Sequence, residues 1–460
     1  MKLRSLTLLL VALLPFPGLA LGPHEVVVLA NRKSLQSVRV ATEFAELRRI
    51  PQVNIINLDI PVLLTRDRTD ISPDEFTRYI WVPATNAIDQ HGISDHILAW
   101  VYSVDFPTRI RWAPSLSIQG ITFLRNRLPE SRDQVERGLY SSPLFAGPDG
   151  SDSRAFPAQS FDVMKAWLTE DMPIPSMMLG ITGKYGNSLN TILGCLKRGM
   201  ESDCTTPPGK IYLITGTDIR AQAREWQFPS VQRELAAARV TAVITNVPPA
   251  RDPAILGIMM GLPNVKPQHY GQYTSGSFAD HLTSAAGVFD AAHQTKLTAW
   301  IEAGATVSAG TVTEPFAIWS KFPSARVYAH QVAGCTLIES LYQSIKCPLQ
   351  ILLVGEPFAA PWSPCGADKL MVRAPEEGKP LSGKITAEVE VESGTVAAYT
   401  QFMFLLDGKM LGKTDGTGRF EFDTTLVKNG PHAFRVVAYR TGAVRSQIFV
   451  DIPIDIRNRP

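Results

Sequence analysis

The residues best suited to chemistry lie together in the run Asp280-His281-Leu-Thr-Ser284. A histidine beside a carboxylate and close to a hydroxyl has the residue types of a base and a nucleophile. We therefore take Asp280, His281 and Ser284 as a candidate catalytic set. In the alternative interpretation, Asp280 caps the N-terminus of a helix and the Ser284 hydroxyl satisfies a local main-chain group. His269 lies in similar polar surroundings and is a second candidate base.

Two glutamates stand directly before prolines at the ends of predicted strands. These are Glu314 and Glu356. We expect the strands to deliver both carboxylates to the same edge of a sheet, where they could hold a cation or act as acid and base. The alternative is that each Glu-Pro pair only ends its strand, because proline cannot continue one.

One cysteine lies close to a histidine. Cys335 follows Gly334, five positions after His330, and precedes a helical pattern over residues 336–344. A helix N-terminus lowers the pKa of a thiol and makes it a nucleophile, so Cys335 joins the catalytic candidates. In the alternative interpretation, Cys335 is a small buried apolar residue.

No motif indicates a cofactor or a metal. The run from Gly180 to Lys184 continues with Tyr185, so it is not a phosphate-binding loop, and Ser308 lacks the first glycine of a nucleophile elbow. Neither Cys-x-x-Cys nor His-Glu-x-x-His occurs. We predict no cofactor and no metal site.

The elements that must position these residues alternate between strand and helix patterns. Apolar runs lie at residues 24–31, 53–59, 97–103, 210–215, 241–245, 254–260 and 349–357. With helical stretches between them, they predict an α/β region whose helices pack on both faces of a parallel sheet. The Gly- and Ser-rich residues 269–287 and the segment 304–315 are predicted to lie beyond strand ends, where open α/β sheets bind ligands.

From residue 367 the pattern changes to alternating short strands without helices. Asp407-Gly408 is a strong turn signal between two of them. About 90 residues of this kind predict an immunoglobulin-like β-sandwich. The predicted domains are a signal peptide at 1–20, an N-terminal α/β lobe at 21–160, a second α/β lobe with the candidate site at 161–366, and the sandwich at 367–460.

The N-terminus has the composition of a secretory signal. Lys2 and Arg4 precede an apolar run over residues 6–14, and small residues at 18–20 suit cleavage before Leu21. The apolar run is shorter than the roughly 20 residues that span a bilayer. We expect an exported protein that is periplasmic, at the cell surface or secreted, with no transmembrane segment after cleavage.

Composition narrows the partners. The formal charge is +2, with 45% hydrophobic and 19% charged residues. A globular chain this close to neutrality offers no electrostatic basis for binding nucleic acid or an anionic membrane surface. The predicted partner is an unidentified protein or peptide. Five cysteines are too few for a disulfide scaffold, although Cys195 and Cys204 are close enough to bridge.

Five motifs together resemble an uncharacterised family of exported bacterial proteins. In order they are 176–188 (SMMLGITGKYGNS), 280–284 (DHLTS), 310–315 (GTVTEP), 321–323 (KFP) and 354–357 (VGEP). The resemblance extends from His24 to about Trp362. That family occurs in genomes that encode the exosortase protein-sorting system, and the resemblance implies membership without implying a reaction.

More distantly, the two-lobe order followed by an immunoglobulin-like module is similar to gingipain-type cysteine peptidases of the caspase-like fold. The resemblance implies a histidine after one central strand and a nucleophilic cysteine after the next. Here residues 260–264 read MGLPN in place of the histidine loop, and the following segment has no cysteine.

The sequence leaves two alternative functions open. One is a degenerate peptidase-like fold used for binding or assembly, and the other is a hydrolase using His281 with a nearby hydroxyl or cysteine.

Overall fold

The computed structural model describes residues 18–65, 69–148, 155–168, 172–364, 368–375, 378–392 and 399–458. The charged and apolar run behind the signal-peptide prediction lies outside the described residues. Residues 18–22, around the predicted cleavage site, are described and are buried. There the carbonyl oxygen of Leu19 accepts a hydrogen bond of 2.8 Å from the main-chain N–H of Gln447 in the C-terminal region.

The first run of elements begins with a fully buried β-branched strand. A helix follows this strand. The Ser34 side chain caps its first turn by accepting a hydrogen bond from the Ser37 main-chain N–H. In chain order the elements are β1 (Val26–Asn31), α1 (Leu35–Arg48), β2 (Ile55–Leu58), β3 (Asp70–Ile71), α2 (Pro73–Phe76), a π-helical turn (Thr77–Trp81), α3 (Val82–His91), β4 (Ala99–Tyr102), β5 (Arg109–Ile110), β6 (Leu116–Ser117), α4 (Ile118–Phe123), α5 (Arg132–Arg137) and α6 (Phe161–Trp167). The short strands β3, β5 and β6 form a small separate sheet.

The second run continues the same alternation. Its elements are β7 (Ser176–Met178), α7 (Leu189–Glu201), β8 (Lys210–Ile214), α8 (Ile219–Glu225), α9 (Phe228–Ala237), β9 (Thr241–Thr245), β10 (Asp252–Gly261), β11 (Gly271–Leu282), α10 (Thr298–Glu302), β12 (Val307–Thr311), α11 (Arg326–Val332), α12 (Leu337–Ser344) and β13 (Ile351–Gly355). Alternate residues of β8 and β10 enter two different apolar clusters. This part of the sheet is therefore buried on both faces.

Both runs contribute to one sheet of ten strands, in the order β2-β1-β4-β7-β13-β12-β11-β10-β8-β9. Every neighbouring pair is parallel except β12 and β13. This confirms the predicted α/β region with a largely parallel sheet. The strand β7, which follows the predicted boundary after residue 160, pairs with β4 of the first run.

The Gly- and Ser-rich residues 269–287 do not form the predicted loop. Most of them form β11, which pairs with β10 over its whole length and with β12 through Phe278 and Val307. The irregular part of β11 is held by side chains, since Gly276 N–H donates to Thr306 Oγ1 and the Gly276 carbonyl oxygen accepts from Gln331 Nε2. Asp280 and His281 consequently lie in a central strand.

The C-terminal region has its own apolar core. Its strands are β14 (Lys369–Ala374), β15 (Pro380–Leu381), β16 (Lys384–Glu392), β17 (Tyr399–Leu406), β18 (Lys409–Asp415), β19 (Arg419–Asp423), β20 (Gly430–Arg440) and β21 (Gln447–Ile456). They form two mainly antiparallel sheets, β14-β16-β19 and β15-β21-β20-β17-β18, whose apolar side chains join in one cluster. This confirms a separate β region. No helix in the described part of the chain is long and apolar enough to cross a membrane.

Candidate functional site

The imidazole of His281 is held inside the core. Its Nδ1 accepts a hydrogen bond of 2.8 Å from Trp300 Nε1, and its Nε2 donates one of 3.1 Å to the Thr295 carbonyl oxygen. The ring is 1% exposed, and burial lowers the pKa of His281 to about 3. A neutral ring with both nitrogens engaged has no free atom with which to take a proton from a substrate.

Asp280 points to the other side of β11, because successive residues of a strand alternate in direction. Its carboxylate accepts two hydrogen bonds, of 2.8 and 3.0 Å, from the guanidinium of Arg224. The same guanidinium donates to the main-chain oxygens of Met260 and Pro323. Asp280 and Arg224 are both buried. Because Arg224 belongs to α8 and Asp280 to β11, this ion pair connects α8 to the sheet. The alternative that Asp280 caps a helix is wrong, because it lies within a strand.

Ser284 is separated from the imidazole. It is half-buried just after β11, where its carbonyl oxygen accepts from Thr311 Oγ1 at 3.2 Å. Among the described residues, no hydrogen bond joins Ser284 to His281. Gln294 Oε1 fixes the turn by accepting from the Thr283 hydroxyl and from the Ala285 main-chain N–H. The segment therefore does not assemble a serine–histidine pair in this conformation.

The two glutamates lie at opposite ends of two neighbouring strands, because Glu314 follows β12 and Glu356 follows β13. β13 runs antiparallel to β12, with Val307 opposite Gly355 and Thr311 opposite Ile351. The expectation that both strands end at one edge is therefore wrong. Glu356 is buried and binds the guanidinium of Arg48 through two hydrogen bonds of 2.8 Å. Glu314 is exposed.

The histidine and cysteine near α12 are both buried. The Cys335 thiol donates to the Gln159 carbonyl oxygen at 3.5 Å, and burial raises the pKa of Cys335 well above its usual range. The predicted lowering by the helix N-terminus is therefore wrong. Burial lowers the pKa of His330 to about 3, and neither of its ring nitrogens has a hydrogen-bond partner among the described residues.

The remaining cysteines correct one further expectation. Cys195 is a free, buried thiol that donates to the Thr306 carbonyl oxygen at 3.2 Å. Cys204 is disulfide-bonded. A bridge between Cys195 and Cys204 is therefore wrong. His269, the other candidate base, is exposed. No group of three or more His, Cys, Asp or Glu side chains that could hold a metal occurs in the described part of the chain.

Three aromatic side chains lie in segments that follow second-run strands, Trp226 after β8 and α8, and Phe316 and Trp319 after β12. We call Trp226, Phe316 and Trp319 the aromatic surface. Phe316 is 63% and Trp226 39% exposed. The rings of Trp226 and Trp319 meet edge to face, with centroids 5.4 Å apart. Aromatic side chains are enriched at protein interaction sites. No local pattern indicates this surface, because its members come from two separate segments of the chain.

The loop that carries Phe316 has an unusual backbone. Phe316 and Ala317 both have positive φ, 60° and 49°, a conformation that costs free energy in residues with a Cβ atom. Glu314 stabilises the loop by accepting a hydrogen bond of 2.8 Å from the Phe316 main-chain N–H. Backbone strain of this kind is concentrated at functional sites. Glu314 therefore has a positioning role in this loop.

Comparison with known proteins assigns no family to the chain. No family model and no curated protein matches it. A protease structure aligns over 94% of this chain and 97% of its own, with 10% identity and a TM-score of 0.45. Fibronectin(III)-like modules of CbhA from Clostridium thermocellum align over 20% of this chain and 100% of their own, with 20% identity and a TM-score of 0.16. Likeness at these levels identifies no activity, and membership of the exosortase-associated family stays a prediction.

Proposed function

We propose that this protein is an exported binding or assembly component built on a degenerate peptidase-like fold. In this proposal the α/β region is caspase- or gingipain-like and the C-terminal region is an immunoglobulin-like sandwich. One observation carries the proposal. The residue types suited to catalysis are used in separate structural contacts, with both nitrogens of His281 engaged in the core.

The aromatic surface is the proposed ligand-binding surface. Phe316 presents most of its side chain to solvent from a strained loop, and the edge-to-face pair of Trp226 and Trp319 adds further aromatic area. Aromatic side chains bury large areas with little loss of side-chain entropy, which suits them to peptide ligands. The ligand class we propose is a protein or peptide with apolar side chains.

The test is an array of immobilised peptides probed with the purified protein. Binding of the protein to each peptide and cleavage of that peptide are both recorded. We expect the protein to bind peptides that stay intact. Phe316→Ser combined with Trp226→Ser should weaken this binding by about tenfold, because central aromatic residues dominate such interfaces. The matched control is Phe156→Ser, since Phe156 is also 66% exposed but lies outside the aromatic surface.

Two results would overturn the proposal. One is cleavage of peptides by the wild type that is lost in His281→Gln or Ser284→Ala protein, which would establish the hydrolase. The other is binding that is equally strong in the Phe316→Ser/Trp226→Ser protein, which would move the ligand away from the aromatic surface. Far-ultraviolet circular dichroism shows that each variant is folded before it is compared.

A further inference from the structure

One edge of the ten-stranded sheet is formed by β9, which in the described part of the chain pairs with β8 alone. Its sequence is Thr-Ala-Val-Ile-Thr, without a charged residue or a proline. Natural proteins protect such edges with lysine, proline, bulges or a covering segment, because the unpaired main chain is a template for another strand. All five residues of β9 are exposed or half-buried.

The main-chain groups that face outward can be identified from the pairing. The carbonyl oxygen of Thr245 accepts a hydrogen bond of 2.8 Å from Thr215 N–H, so the main-chain groups of Thr245 point towards β8. Because successive residues of a strand direct their N–H and C=O groups to opposite sides, Ala242 and Ile244 face outward. The Ala242 carbonyl oxygen accepts a hydrogen bond of 2.9 Å from Gln232 Nε2. This side-chain amide makes the kind of bond that a main-chain N–H of an added strand would make.

A basic groove lies beside this edge. It has a volume of about 480 Å³ between the C-terminal half of α9 and the first residues of β9. Arg233 and Arg239 line it, and neither has an ion-pair or side-chain hydrogen-bond partner among the described residues. Glu234, which lies between them in sequence, binds Arg326 through a hydrogen bond of 2.6 Å. The positive charge of the groove is therefore available to an incoming acidic group.

We propose that the β9 edge and this groove bind an extended acidic peptide segment by β-strand addition. The outward main-chain groups of Ala242 and Ile244 would pair with the segment, whose N–H would replace the Gln232 side chain at the Ala242 carbonyl oxygen. Arg233 and Arg239 would select its acidic side chains. A second copy of this chain fits less well, because pairing β9 with β9 would bring two basic grooves together. This surface contains none of the residues of the aromatic surface, so the two proposals are independent.

The test is fluorescence polarisation with a labelled peptide of roughly ten residues that alternates valine and glutamate, and with the same peptide carrying lysine in place of glutamate. We expect saturable binding of the glutamate-containing peptide and no saturable binding of the lysine-containing peptide. Arg233→Glu combined with Arg239→Glu should weaken binding of the glutamate-containing peptide by about tenfold or more through charge repulsion. Ile244→Pro should weaken it to a similar extent, since proline removes an outward N–H.

The matched control is Lys266→Glu combined with Lys409→Glu, which makes the same change of charge at two exposed lysines elsewhere. This control should bind the acidic peptide within about twofold of the wild type. Phe316→Ser should also leave the binding unchanged, which separates this surface from the aromatic surface. Thermal unfolding confirms that the proline variant is folded.

Three results would overturn the proposal. The folded wild type could show no saturable binding of the acidic peptide, or the Arg233→Glu/Arg239→Glu protein could bind it as tightly as the wild type. The third is a dimer in sedimentation velocity that Ile244→Pro abolishes. That result would assign the edge to a second copy of the chain.

Discussion

At the residue scale, the side chains of Asp280 and His281 leave opposite faces of β11 and reach different parts of the core. Asp280 meets the guanidinium of Arg224, whereas His281 lies between Trp300 and a main-chain carbonyl oxygen. Neighbours in sequence are thus separated by the geometry of a strand. The residue types of a catalytic set are present, but in this fold they stabilise the sheet and its helices.

The buried neutral state of His281 predicts an acid-dependent loss of stability. Its folded-state pKa of about 3 lies below the ordinary value of 6.5, so between these pH values the unfolded chain binds a proton that the folded chain does not. The contribution of the neutral His281 ring to the free energy of unfolding is complete above pH 6.5. It falls as the pH is lowered towards 3, by up to about 1.4 kcal/mol per pH unit.

His281→Gln keeps a donor and an acceptor but cannot titrate, so its stability should decline less steeply in this range. Urea unfolding of wild type and variant at several pH values between about 4 and 7 measures the difference. His269→Gln, a change at an exposed histidine, serves as the control. Equal slopes for wild type and His281→Gln would contradict the assignment of a buried neutral imidazole.

At the element scale, the loop after β12 combines exposed aromatic rings with a strained backbone. Ala317 has a φ of 49° and is only half-buried. A glycine adopts this conformation without a steric cost from Cβ, although it loses more chain entropy on folding. Strain at this position therefore lowers stability while it fixes the direction in which Phe316 points.

We expect Ala317→Gly to raise the free energy of unfolding by about 0.5–1 kcal/mol, because relief of the left-handed strain exceeds the entropy cost. Ala333→Gly is the matched control. Ala333 has an ordinary φ of −74° and is exposed, so that change should lower stability by about 0.5–1 kcal/mol. Chemical denaturation compares the two. A loss of stability in both variants would show that the loop carries no such strain.

At the scale of the whole molecule, the α/β region and the C-terminal β region meet through buried polar contacts. Glu25 accepts hydrogen bonds of 2.7 Å from Gly22 N–H and from Gln447 Nε2, and the Tyr439 hydroxyl bridges Glu25 and His24. Burial raises the pKa of Glu25 to about 8, and the charge of Asp162 acts in the same direction. The two regions thus share a carboxyl group whose ionised form is disfavoured.

This carboxyl group predicts that the free energy of unfolding falls as the pH rises from about 4.5 to about 8. Since the folded-state pKa of about 8 exceeds the ordinary 4.5, the stabilising contribution is complete below pH 4.5 and is lost as the pH rises through about 8. The pKa of His24 is lowered by burial, so His24 acts in the opposite direction below its ordinary value of 6.5.

Glu25→Gln removes the titrating carboxyl and keeps one oxygen that can accept from Gly22 N–H and Gln447 Nε2. Its stability relative to wild type should increase with pH across the window from about 4.5 to 8, by up to about 1.4 kcal/mol per pH unit. Thermal and urea unfolding at matched pH values measure this difference. Glu46→Gln, at an exposed glutamate, should show no such trend. A difference between Glu25→Gln and wild type that does not change with pH would contradict the prediction.

Local sequence patterns determined the class of the fold and the position of seven of the ten strands of the large sheet. The buried runs at β1, β4, β8 and β13 are short and rich in β-branched or large apolar residues, which suit strands covered on both faces. The change to alternating strands after residue 367 likewise predicted the separate C-terminal β region. These features depend on neighbours within a few residues, so they can be recognised without the tertiary structure.

Only the tertiary structure decided which of the chemically suited residues lie together. Within residues 269–287, β11 forms because β10 and β12 offer main-chain partners on both sides, which outweighs the weak local preference of these residues for a strand. The antiparallel course of β13 places Glu356 against Arg48, 308 positions away in sequence, and far from the edge that Glu314 reaches. Contacts over such separations depend on how strands pair, and strand pairing is not encoded in any local pattern of residues.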